Sequence, residues 1–90
     1  MCTYRTEKVA VSGSGKGHDG WFPVTEATVY FDHPVHAPAA HTLNVDFLNP
    51  ARGAGARVAL ELDPEAARAV AEVILATLDG LPSGLVTSTP

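Results

Sequence analysis

Three of the four histidines in this chain, His33, His36 and His41, fall within a single stretch of nine residues. Neutral imidazole keeps a lone pair available near neutral pH, where an amine would be protonated, and it is the most frequent metal ligand for that reason. Three such groups can form a facial set around zinc, copper, nickel or iron(II), with Asp32, Asp46 or the Cys2 thiolate as a further ligand. The spacing matches no standard zinc module. It lacks the helical His-Glu-x-x-His arrangement, and Pro34 stands inside the first gap. The ordinary alternative is a polar loop whose histidines are solvated or hydrogen-bonded to Asp32 and to backbone, and metal-free acid–base use is a third.

Other residues invite weaker readings. Cys2 follows the initiator methionine, whose removal would expose a thiol beside a free amine, a nucleophile–base pair; a plain semi-exposed thiol or a metal ligand are the alternatives. The run Gly13-Ser14-Gly15-Lys16-Gly17 has the composition of a phosphate-cradling loop. A Walker loop, however, needs Ser or Thr after the lysine and a helix behind it, whereas Gly17 follows here, so a mobile hairpin loop or lid is expected instead. Asp46, Glu26 and Tyr30, with Asn44 beside them, are the candidates for acid–base work in a small-molecule pocket, because carboxylates lining a cavity lose solvation and shift upward in pKa. Carboxylates on outward strand positions are also commonplace on wet sheet faces.

The elements that must position these groups follow from periodicity and breakers. Thr3 to Val11 reads as a strand, and Ser12 to Gly20 as a flexible loop. Val24 to Phe31 reads as a second strand, with Val24, Glu26, Thr28 and Tyr30 on one face and Thr25, Ala27, Val29 and Phe31 on the other. The prolines at 34 and 38 make the segment from His33 to His41 a connection. Leu43, Val45 and Phe47 alternate with Thr42, Asn44 and Asp46 in a third strand that should bury the first set and expose the second. Asn49 to Ala56 is a long loop before the fourth strand, in which Val58, Leu60 and Leu62 alternate with Arg57, Ala59 and Glu61. Asp63 as cap, Pro64 at the first helical position and Glu65 in the first turn open a helix that Gly80 and Pro82 close.

These elements make one α+β domain, residues 1–81, with a four-strand antiparallel sheet covered on one face by a single C-terminal helix, and residues 82–90 as loose coil. The other face would display Glu26, Thr28, Tyr30, Asn44, Asp46, Arg57 and Glu61. The helix carries an apolar arc, Ala66, Ala67, Val70, Val73, Ile74, Leu75 and Leu78, wider than one sheet requires, and the surplus suggests a homodimer.

Length and composition set the outer limits. Ninety residues leave room for one small core. A single cysteine excludes an internal disulfide, so metal or association remains as a source of added stability. A net charge of −4 with six scattered Lys and Arg offers no basic face for nucleic acid or an anionic membrane. Neither a membrane-spanning run nor the apolar segment of a signal peptide is evident, so a cytoplasmic location is expected.

Met1-Cys2-Thr3-Tyr4 with Glu7-Lys8, the stretch Val11 to Gly17, and Tyr30-Phe31-Asp32-His33-Pro34 through Asp46-Phe47 together resemble a family of short actinobacterial proteins of unknown function. The resemblance covers most of the chain and implies no activity, cofactor or catalytic residue; it implies a setting in specialised metabolism, by association alone. Three functional expectations stand. The chain is a transition-metal-binding homodimer using His33, His36, His41 and Cys2, with metal-dependent chemistry on a small molecule; or a metal-free small-molecule binding or cyclase-like domain using the polar sheet face; or an accessory protein that docks an enzyme.

Overall fold

The computed structural model describes residues 5–33 and 40–85. The elements run β1 (Thr6–Gly17), β2 (Gly20–Asp32), β3 (Thr42–Leu48), β4 (Arg57–Leu62) and α1 (Pro64–Asp79), with short 3-10 turns at Pro50–Arg52 and Ser83–Leu85. The strands form one sheet in the order β1-β2-β3-β4, each antiparallel to the next. The α+β class, the four-strand antiparallel sheet and the C-terminal helix are those expected from the sequence.

The first hairpin differs from expectation. The glycine-rich run is strand, not loop: Gly13, Ser14, Gly15, Lys16 and Gly17 pair with Val24, Pro23, Phe22, Trp21 and Gly20, and only His18 and Asp19 form the turn. The reason is steric. A Cβ at Gly15 would stand 3.1 Å from Val24 Cγ2 and 3.4 Å from Val58 Cγ2, and one at Gly17 would stand 3.1 Å from Phe22 Cε1 and 3.3 Å from the Gly55 carbonyl. Glycine here lets a large aromatic ring lie against bare backbone, a use that outweighs its poor strand propensity. Neither the phosphate-cradle reading nor the lid reading of this segment survives the pairing.

Register shifts between Ala10 and Gly13, and burial on β2 changes step at the same level. Phe22, Val24 and Ala27 are all buried, so Val24 joins the side of Ala27 and not, as the alternation predicts, that of Glu26. The irregularity coils the hairpin so that its tip reaches β4, where a Cβ at Gly17 would also meet the Arg57 carbonyl at 3.4 Å. Phe22, Val24 and Ala56 form the core at this end, flanked by Val11, Phe47 and Val58.

Asn49 closes that end. It is buried; its Nδ2 donates to the Pro23 carbonyl at 2.9 Å, its Oδ1 accepts from the Ala51 amide at 3.2 Å, and its own amide donates to the Ala56 carbonyl at 3.0 Å. The Pro23 carbonyl is thereby tied to the loop that follows β3. Gly53, at φ +90°, provides the left-handed residue the loop needs.

At the opposite end the expected covering is slight. Asp63 caps α1, its Oδ1 accepting from the Ala66 amide at 2.8 Å, and Pro64 takes the first turn as expected. Yet no residue of α1 is buried, and the helix touches the sheet chiefly beside β3. Burial on β3 is accordingly the reverse of the expected pattern: Thr42 and Asn44 are 0% and 4% exposed, while Leu43, Val45 and Phe47 are only half-buried.

Replacing Gly17 with alanine should lower stability by about 1–3 kcal/mol, since backbone oxygens on two sides of the new methyl cannot step aside. Gly13→Ala meets nothing within 4 Å and should be neutral or slightly stabilising. Urea unfolding midpoints of the two variants decide the matter, and equal midpoints would contradict the close-approach account.

Candidate functional site

β2 ends at Asp32, opposite Thr42 at the start of β3. Continuing that register by one step sets His33 opposite His41, so the antiparallel pairing itself brings the two imidazoles together. Their ring centroids lie 4.5 Å apart with planes inclined at 31°. His41 also stacks on Phe31, centroids 5.7 Å apart at 13°, which extends the pair into a three-ring column on the apolar side of the sheet.

Two contacts fix the His33 end. Its backbone amide donates to Asp32 Oδ1 at 2.7 Å, and its Nδ1 lies 3.0 Å from the Ala40 carbonyl oxygen. A carbonyl can only accept, so Nδ1 carries the hydrogen and, in the neutral ring, Nε2 carries the lone pair. An imidazole held by a backbone carbonyl in this manner is the common second-sphere arrangement of a metal-ligating histidine.

His36 and Cys2 lie outside the described residues. Among the described residues no group of three His, Cys, Asp or Glu side chains is placed to hold a metal ion. Asp46, named as an added ligand, is engaged elsewhere, on the polar face of the sheet.

That face has the composition the alternation predicts. Tyr30 pairs with Asn44, Asn44 with Glu61 and Thr28 with Asp46. Tyr30 Oη donates to Asp46 Oδ2 at 3.4 Å, and Arg57 Nη2 donates to the same oxygen at 3.0 Å. The two sides of the ion pair differ in exposure, 51% for Arg57 and 16% for Asp46, so the carboxylate is the sheltered partner. Thr42 Oγ1 donates to Asn44 Oδ1 at 2.6 Å, which satisfies the two most deeply buried polar side chains in β3. Glu26 lies further along the same face, opposite Leu48, and takes no part in this network. Of the three acid–base candidates the fold therefore unites Tyr30 and Asp46, and it adds Arg57, which sequence reasoning placed on the face without a role.

Burial raises the Tyr30 pKa above its ordinary value of 10.0, and the Asp46 charge raises it further against the opposing pull of Arg57. The phenol is thus held as a neutral donor. It is suited to orienting a polar group and unsuited to acting as a base near neutral pH.

Between α1 and the sheet lies a groove of about 600 Å³, lined by Val29, Phe31 and Leu43 from the sheet and by Ala67, Ala71 and Leu75 from the helix, with Arg68 and Glu72 at its rim. Phe31 belongs both to this groove and to the histidine column. No helix among the described residues is long and apolar enough to cross a membrane.

Compared with known proteins, the chain matches over residues 1–87 the model of a family of unknown function, DUF6295. No curated protein and no solved structure matches it.

The Tyr30 environment makes a pH prediction. Because folding raises this pKa, the stability it contributes is complete below pH 10 and is lost as pH rises through the folded value. In a Tyr4→Phe background, where Tyr30 is the sole tyrosine, an ultraviolet titration should give a tyrosinate midpoint above the ordinary value. Asp46→Asn should bring it down, since Arg57 then acts unopposed; an unchanged midpoint would show that Asp46 does not face the phenol.

Proposed function

We propose that this chain, which belongs to the DUF6295 family, is a transition-metal-binding protein whose site is built on His33 and His41, with His36 and Cys2 as the candidates to complete it. The observation that carries the reading is the ring pair, 4.5 Å between centroids, in which the Nδ1 hydrogen of His33 is committed to a backbone carbonyl and Nε2 keeps its lone pair for a metal ion. Zinc, copper, nickel and iron(II) all accept imidazole nitrogen. A site completed by three protein ligands would keep a position open for a small molecule, with metal-assisted chemistry there as the consequence. The apolar groove beside Phe31 would then present that molecule to the ion.

A second reading has its own support. The Tyr30–Asp46–Arg57 network offers a neutral donor, an acceptor and a cation within one patch, the equipment of a metal-free polar binding surface. The two readings use opposite faces of the sheet, so substitutions separate them.

The untagged protein, incubated with each of the four ions and then desalted, should retain about one equivalent per chain or per pair of chains by elemental analysis. His33→Ala and His41→Ala should each reduce retention at least about tenfold, the range over which lost ligands and their supporting contacts act, while Asp46→Asn should leave it unchanged. Retention of less than about a tenth of an equivalent of every ion by the unaltered chain would end the metal reading.

A further inference from the structure

The apolar face of the sheet and the apolar arc of α1 are both left open. Pairing sets Val9, Ala27, Val29, Val45, Leu60 and Leu62 on one side of the sheet, and Val9 and Leu60 are 53% and 42% exposed. On α1 the groove takes Ala67, Ala71 and Leu75 together with the polar Arg68 and Glu72, so only one margin of the apolar arc points at the sheet. Val70, Val73 and Ile74, on the remainder of the arc, are 48%, 64% and 53% exposed. A lone surface helix turns its apolar stripe inward; this one turns the larger part outward.

We infer that a second copy of this chain covers this surface, so that the protein is a homodimer whose interface is formed by α1 and the open sheet face. The size of the open patch supports a partner of that kind. Val9, Leu60, Val70, Val73, Ile74, Leu75 and Leu78 are each two-fifths to two-thirds exposed, and seven such aliphatic side chains with their flanking atoms make a patch that approaches the about 800 Å² each partner contributes to a standard-size interface. The exposed side chains at Val9, Leu60 and along the outer arc of α1 are aliphatic, and charged residues bound them: Glu7, opposite Val29 on the edge strand β1, and the stripe of Glu65, Arg68, Glu72 and Asp79 on α1. That pattern is the apolar centre and polar rim of an interface between like subunits, which are more apolar than transient ones. A chain with one small core and no internal disulfide gains most from such burial.

Sedimentation of the untagged full chain from about 1 to 100 µM should give twice 9.4 kDa, and the thermal midpoint should rise with concentration, as it must when association and folding are linked. Val73→Glu on α1 and Leu60→Glu on β4, on separate elements, should each weaken association at least tenfold. If either variant unfolds on dissociation, the concentration dependence of the unaltered chain's midpoint still decides the question. A mass of 9.4 kDa throughout, whether the chain stays alone or binds only a different protein, overturns the inference. So does a dimer that keeps its affinity in both variants.

Discussion

The arrangement of this domain depends on Phe22 lying against backbone that has no side chains. Gly15 and Gly17 alternate with Ser14 and Lys16 along β1, and their missing methyls are the space that the Phe22 ring and the Val24 side chain occupy. The register irregularity between Ala10 and Gly13 bends the hairpin, its tip meets the start of β4, and the small core of Phe22, Val24 and Ala56 closes under it. Asn49 then fastens the β3–β4 loop to β2 through the Pro23 carbonyl. The molecule is therefore tight at one end. At the other it is held by ladder hydrogen bonds and by a helix that leans on the sheet without burying a residue.

The candidate chemistry lies at the looser end, and the sheet register explains why. With Asp32 paired to Thr42, the residues one step beyond the ladder are His33 and His41, so the strand register brings two imidazoles together. Phe31, one register step inward and opposite Leu43, supplies the apolar wall behind them. On the opposite face the same strands carry Tyr30, Asn44 and Asp46, so one pair of strands presents a ring column on one side and a charged hydrogen-bond network on the other.

Much of this was legible beforehand, for identifiable reasons. Leu43-Asn44-Val45-Asp46-Phe47 and Val58 to Leu62 alternate cleanly, and Asp63-Pro64-Glu65 is a strong helix opening, so β3, β4 and α1 were read with bounds near those found. The first hairpin departs from expectation because glycine counts in a sequence as a breaker; yet the glycines at 13, 15 and 17 recur every second residue, the period of a strand. The step in burial between Val24 and Ala27 had no counterpart in composition, since a bulge depends on how two strands fit and not on either alone. The burial of Thr42 and Asn44 was likewise hidden, because polarity predicts exposure only when the apolar side has something to cover it. Alternation sets Tyr30 and Asp46 on one face together with Glu26 but does not single out their hydrogen bond, and the partnership of Arg57 with the same carboxylate needs the diagonal offset between β3 and β4.

The sheet order β1-β2-β3-β4 repeats the order of the sequence, with every neighbour antiparallel. Each ladder can thus close outward from its own connection, the first from the two-residue turn at His18 and Asp19, and none must wait for a distant segment to thread past it. Topologies of this local kind reach their folded state faster than those with crossovers. As the chain leaves the ribosome, all four strands are available for zipping before the first turn of α1 has been made.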